Sequence, residues 1–105
     1  MRNKMVNEAS LNIPGPMVLG LQALGHVAGD PDLGPRFLAL SGLDSAGLRA
    51  GAGEPALLAA VIDFLCARES DLIACAQAMA VTPAALVAAG TALTNAGAAL
   101  PRGDA

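Results

Sequence analysis

The sequence predicts an all-α fold, a compact bundle of five or six short helices, and three observations carry that prediction. Apolar residues recur at helical spacing, most clearly in EPALLAAVIDFLCA (Glu54–Ala67), where Leu57, Leu58, Val61, Ile62, Phe64 and Leu65 fall at offsets of three, four and seven. Apolar–polar alternation is absent and β-branched residues are sparse, so no segment reads as a strand. Proline or a capping residue heads each apolar run, and glycine follows several of them. The composition says how such a bundle packs: 54% of the 105 residues are hydrophobic but only 2% are aromatic. Much of the apolar content is alanine, which favours helix and buries little area, so helices are expected to approach closely around a thin core.

Residues 1–13 show no sustained period and are expected to form a flexible tail, followed by one helical domain over 14–100 and a second tail over 101–105. Gly15-Pro16 opens the first helix, with Val18, Leu21, Leu24 and Val27 inward and Gly29 closing it in the left-handed conformation. Asp30-Pro31 starts the second, which carries Leu33, Phe37, Leu38 and Leu40 inward and stops at Gly42. Gly34-Pro35 weakens its first half and allows a turn there. Asp44 caps a short third helix around Leu48, ended by the Gly51-Ala52-Gly53 loop. The fourth helix has the largest concentration of big apolar side chains and should run through the middle of the core. Glu54 caps it, Pro55 takes its first turn and Asp63 faces water. Glu69 and Ser70 offer caps for a fifth helix carrying Leu72, Ile73, Cys75, Ala76 and Met79. Thr82-Pro83 starts a sixth on Leu86, Val87 and Leu93, weakened in its second half by Gly90 and Gly97.

An internal echo connects two of these stretches. FLALSGLDSAGL (Phe37–Leu48) and CAQAMAVTPAAL (Cys75–Leu86) align without gaps: a helix, a small turn residue (Gly42 or Ala80), an apolar residue (Leu43 or Val81), a cap (Asp44 or Thr82), then a helix with leucine at the same place. The chain then reads as two related three-helix halves, each helix-turn-helix-like, although two units fall short of a repeat array.

The same pattern raises a DNA-binding reading, through residues 74–90 or 37–51. It reports how two helices cross a tight turn, whereas recognition also needs polar or basic side chains for base edges and phosphates. From Thr82 to Gly90 there is no Arg, Lys, Asn or Gln, and the other unit offers only Arg49. A net charge of −3 and a pI near 4.7 also argue against a phosphate-seeking surface. His26, Asp30 and Asp32 could form a metal cluster, but Asp30 reads as the cap of the second helix and Asp32 as part of its first turn, and one imidazole with two exposed carboxylates leaves such a site mostly open. For catalysis the only thiol–imidazole combination is Cys66 or Cys75 with His26, and both cysteines sit at helix-core spacing, as reduced core-side thiols. Gly51-Ala52-Gly53 lacks the glycine spacing and the lysine of a phosphate loop. Ile13–Gly29 is too interrupted for a secretory signal. Leu72–Pro101 is uncharged and long enough to span a bilayer, but mostly alanine and therefore a poor driver of insertion.

Taken together, the Phe-Leu run ending in Ser-Gly-Leu-Asp, the Gly-Leu-Arg-Ala, the central Leu-Leu-Ala-Ala-Val-Ile-Asp-Phe-Leu and the acid followed by Asp-Leu resemble the core of a family of small helical proteins of unknown function found in proteobacteria, over roughly Leu19–Gly90. The resemblance implies a compact cytoplasmic helical domain and supplies no catalytic residues. The leading expectation is a non-enzymatic protein–protein interaction module, cytoplasmic, binding a protein partner or itself. No metal, cofactor, small-molecule ligand or membrane partner is expected. A DNA-binding regulator is the alternative.

Overall fold

Six helices follow one another within residues 15–98, the part that this computed structural model describes: α1 (Pro16–Gly29), α2 (Leu33–Ser41), α3 (Ser45–Ala50), α4 (Pro55–Cys66), α5 (Glu69–Met79) and α6 (Pro83–Ala98). No strand occurs among the described residues, and the all-α expectation holds. The tails expected over 1–13 and 101–105, with both margins of the 14–100 domain, lie outside the described residues.

The starts follow the sequence signals more closely than the stops. Gly15 is extended and Pro16 takes the first helical position, where its missing N–H removes a donor that would have had no intrahelical acceptor. Gly29, however, has no left-handed backbone. α1 ends because Asp30 turns extended ahead of Pro31, whose ring disfavours a helical predecessor. Asp30 Oδ1 then accepts the N–H groups of Asp32 and Leu33, at 2.8 and 2.9 Å, so Pro31-Asp32 is a turn and α2 begins only at Leu33. Gly42 ends α2 with φ 76°, as expected. Asp44 caps α3 through the Gly47 N–H, and Thr82 caps α6 through the Ala85 N–H. Neither Glu54 nor Glu69 nor Ser70 makes a side-chain cap. At α4 the Glu54 carbonyl receives the Leu57 and Leu58 N–H groups, and at α5 the Arg68 carbonyl receives those of Asp71 and Leu72.

α4 occupies the centre, packed on α1, α5 and α6, with Leu58, Val61, Ile62 and Leu65 shut off from water. α1 and α6 also pack on each other, so the core is a three-helix layer flanked by α2 and α5. The small residues permit this. A Cβ on Gly20 would stand 2.9 Å from Leu58 Cβ and from Leu93 Cδ1, and one on Gly90 would stand 2.7 Å from Ile62 Cγ2. Gly90 is therefore the point where α6 crosses α4, not a weak spot, and α6 continues unbroken to Ala98. The same closeness corrects the inward assignments. α1 faces the core with Leu19, Gly20, Ala23, Leu24 and Val27, and leaves Val18 and Leu21 exposed. Leu40, Ile73 and Val87 are likewise outside, and Ala89 and Gly90 take the inner face of α6. Where helices approach this closely, the contact line follows small residues rather than large ones.

Among the described residues no single helix is long and apolar enough to cross a membrane. α5 and α6 reach that length only together, and the chain bends by 99° between them.

Candidate functional site

The two helix–turn–helix units share a turn and differ in their second helices. Gly42 (φ 76°) and Ala80 (φ 59°) are both left-handed, each is followed two residues later by a capping side chain, and Leu48 and Leu86 both turn inward. α6 then runs on across α4 and α1. α3 stops after six residues, where the Gly51 N–H returns to the Gly47 carbonyl at 3.0 Å. A Cβ on Gly51 would come within 2.9 Å of Leu57 Cδ2, so the chain turns tightly against α4.

Because α3 is short, the space beside it stays open. A groove of about 380 Å³ lies between the C-terminal half of α1 (Leu24, Ala28), the first part of α2 (Gly34, Pro35, Leu38) and α3 with the residue beyond its end (Ser45, Leu48, Arg49, Ala52). Gly34 sets its floor: a Cβ there would lie 3.1 Å from the Val27 carbonyl oxygen, so glycine lets α2 ride directly on the end of α1. Pro35 sits in the first turn of α2, where it breaks no helical hydrogen bond. The lining is apolar except for the Ser45 hydroxyl and the Arg49 guanidinium.

Arg36 holds the α2 wall in place. Its guanidinium pairs with Asp32 at 2.9 Å and Asp71 of α5 at 3.4 Å and lies 5.2 Å from the centre of the Phe64 ring, which Phe37 meets edge-on at 5.3 Å. The hydrogen bond to Asp32 is the main reason its pKa rises. The ion pairs among the described residues are those two, and Arg49 at the groove rim has none with a described carboxylate. Sequence reasoning took Asp32 as a possible metal ligand at the opening of the second helix, and Asp71 as part of the Asp-Leu that carries the family resemblance. The spacing of Asp32 and Arg36 signals an i,i+4 pair, but nothing local points from Arg36 to Asp71.

The other candidate residues stand apart. His26 lines a cleft with Gln22, Ala78 and Met79, while Cys66 lines a different one between α4 and α6 with Asp63, Val87 and Thr91. Cys75 is buried, as expected, and its thiol meets the Met79 sulfur at 3.5 Å. Cys66 corrects the expectation of two core-side thiols: it is exposed at the end of α4. Burial pushes the Cys75 thiol up to about 11, and burial with the nearby Asp63 charge raises Cys66, so both favour the less nucleophilic protonated form. Asp30 is held below the usual carboxylate range by the Leu33 and Asp32 N–H groups of the turn that leads into α2, whose N-cap position is Asp32. Among the described residues no three of His, Cys, Asp and Glu gather as metal ligands. In the Gly51–Gly53 loop, the Gly51, Ala52 and Glu54 N–H groups are bonded back into the chain.

Neither unit presents a basic recognition face. α6 carries no Lys or Arg from Pro83 to Ala98, and on α3 Arg49 is the single cation.

No curated protein and no solved structure matches the chain. Residues 15–96 match the family described as "Protein of unknown function (DUF3572)", and the chain belongs to that family.

Proposed function

We propose that this family member is a cytoplasmic, non-enzymatic interaction module that holds a protein partner in the groove between α1, α2 and α3. The observation that carries this reading is the groove itself, an open apolar recess of about 380 Å³ whose walls are fixed by Gly34 and by the Arg36 network. Apolar recesses of this kind take up side chains that anchor a partner, and most of the binding energy comes from a few such anchors. The non-enzymatic part draws support from the separation of His26 and Cys66 into different clefts and from the raised thiols. DNA binding remains the second reading, because the helix–turn–helix geometry is present twice and Arg49 is exposed on one copy. The low positive charge weighs against it.

Affinity capture of the tagged full chain from its native cell, eluted in rising salt with and without nuclease, tests the reading. The expected result is a protein retained through high salt, indifferent to nuclease, and lost with Ala28→Glu, which puts a charge on the exposed edge of the groove. Retention that vanishes with nuclease or modest salt would put DNA binding first. A partner that Ala28→Glu still captures would move the interface elsewhere.

A further inference from the structure

On α1 the groove is lined by Leu24 and Ala28, and the helix surface leading up to them is apolar as well. Met17 and Leu21 precede Leu24 and Ala28 on α1 at steps of four, three and four residues, the spacing that keeps one stripe along a helix. Both are exposed, at 36% and 43%, although the chain has few large apolar side chains to spare. The stripe therefore prolongs the apolar wall of the groove by two turns, giving an edge about 16 Å long at 1.5 Å per residue. That is the length and spacing presented to a partner helix, with apolar anchors at three- and four-residue intervals, rather than to a single inserted side chain.

Building on the interaction reading, we infer that the partner is an amphipathic helix of a different protein, which lies along Met17, Leu21, Leu24 and Ala28 and places a carboxylate against Arg49. Charge complementarity selects this occupant. Arg49 stands at the groove rim without an ion pair among the described residues, and its planar guanidinium is suited to a carboxylate. A second copy pairing through the same stripe brings no counter-charge on that helix, because Pro16–Gly29 contains no Asp or Glu. An uncharged apolar helix leaves Arg49 desolvated and unpaired. The acid on the partner therefore fixes its direction along α1, while the apolar stripe supplies the contact area.

Photo-cross-linking in the native cell tests the occupant separately from the interaction reading. Benzoylphenylalanine is placed in the full chain at position 21, on the stripe, or at position 40, where Leu40 is 76% exposed on α2 and does not line the groove. The expected result is a cross-link from position 21 and none from position 40. It should map to a segment of another protein with apolar residues at three- and four-residue spacing and at least one Asp or Glu. A synthetic peptide of that segment should bind the purified full chain, and Arg49→Glu should weaken binding at least tenfold, while Arg68→Glu leaves it unchanged. A cross-link to a second copy, or to residues 1–14 of the same chain, overturns the inference. So does a mapped segment without an acid, or a peptide indifferent to Arg49→Glu. If affinity capture retains a partner that position 21 never reaches, the interaction reading stands and this inference falls. If affinity capture retains no partner and position 21 is silent, both fall.

Discussion

The two helix–turn–helix units make the instructive comparison. Over the turn they are alike in backbone: a left-handed residue at Gly42 or Ala80, an apolar residue leaning on the core at Leu43 or Val81, and a side-chain cap two residues after the left-handed position. Their fates diverge afterwards. α6 has sixteen residues and brings Ala89 and Gly90 against α4, so its leucines seal the core. α3 has six, ends on Gly51, and serves as the lip of a groove. Turn chemistry thus sets how two helices meet. The length and the small residues of the second helix decide whether the unit closes or leaves a binding surface.

The largest expected effect separates Leu86 from Leu48. Leu86 is wholly buried between closely approaching helices, so Leu86→Ala leaves a cavity that Gly90 and Ile62, already in contact, cannot collapse to fill; it should cost about 3–4 kcal/mol. Leu48 borders a recess that is open already, so Leu48→Ala should lose mainly the transfer term, about 2 kcal/mol. Denaturant unfolding followed by far-UV circular dichroism gives both values, the chain having no Trp or Tyr to report otherwise. Equal losses would mean that α3 is as much core as α6, and the contrast between the units would disappear.

A smaller effect comes from exchanging the two left-handed residues. Gly42 has nothing within 4 Å of a built Cβ, so Gly42→Ala should be destabilising through the backbone alone, by about 1 kcal/mol. Ala80 already bears that strain at φ 59°. Ala80→Gly should therefore be stabilising by a few tenths to about 1 kcal/mol, the relief being partly offset by the extra freedom of glycine in the unfolded chain. Opposite signs at the two positions would confirm that the turns are equivalent. A loss at both would show that the Ala80 methyl makes a stabilising contact with no counterpart at Gly42.

Much of the fold was legible because starts are written locally. Pro16, Pro55 and Thr82-Pro83 mark helices where the structure has them, and Asp44 caps α3 as its type suggests. Faces were harder to read. Val18, Leu21, Leu40, Ile73 and Val87 look inward-facing if size alone ranks them, but glycine and alanine hold the contact lines in a bundle this close-packed. Gly90 looks like a helix weakness for the same reason. The groove was illegible, since it is space left by a short helix among three segments, and no residue type announces a space. Of its polar lining, Arg49 alone stood out, as a cation in a helix–turn–helix unit. The structure moves its significance to the rim of an apolar recess.

The smallest effect concerns how each unit is entered, and it is a pH effect. α2 is preceded by Asp30, whose carboxylate receives two backbone N–H groups. α5 has no side-chain cap, and Arg68 stands at its head with Glu69 and Asp71 in the first turn. These bonds favour the ionised Asp30 and lower its pKa below the ordinary 3.8, so its contribution is full above that value and is lost as pH falls through the lowered one. The groove unit should therefore loosen first in acid. As pH falls below the ordinary 3.8, the amides of Asp32 and Leu33, which bond to Asp30, should lose protection from hydrogen exchange, relative to their intrinsic rates, before those at the start of α5. Asp30→Asn keeps an acceptor oxygen and removes the titration, so this part of the pH dependence should flatten while the turn persists. If Asp30→Asn follows the wild-type acid curve unchanged, the carboxylate is not what holds the α1–α2 corner, and the groove takes its shape from Gly34 and the Arg36 pairs alone.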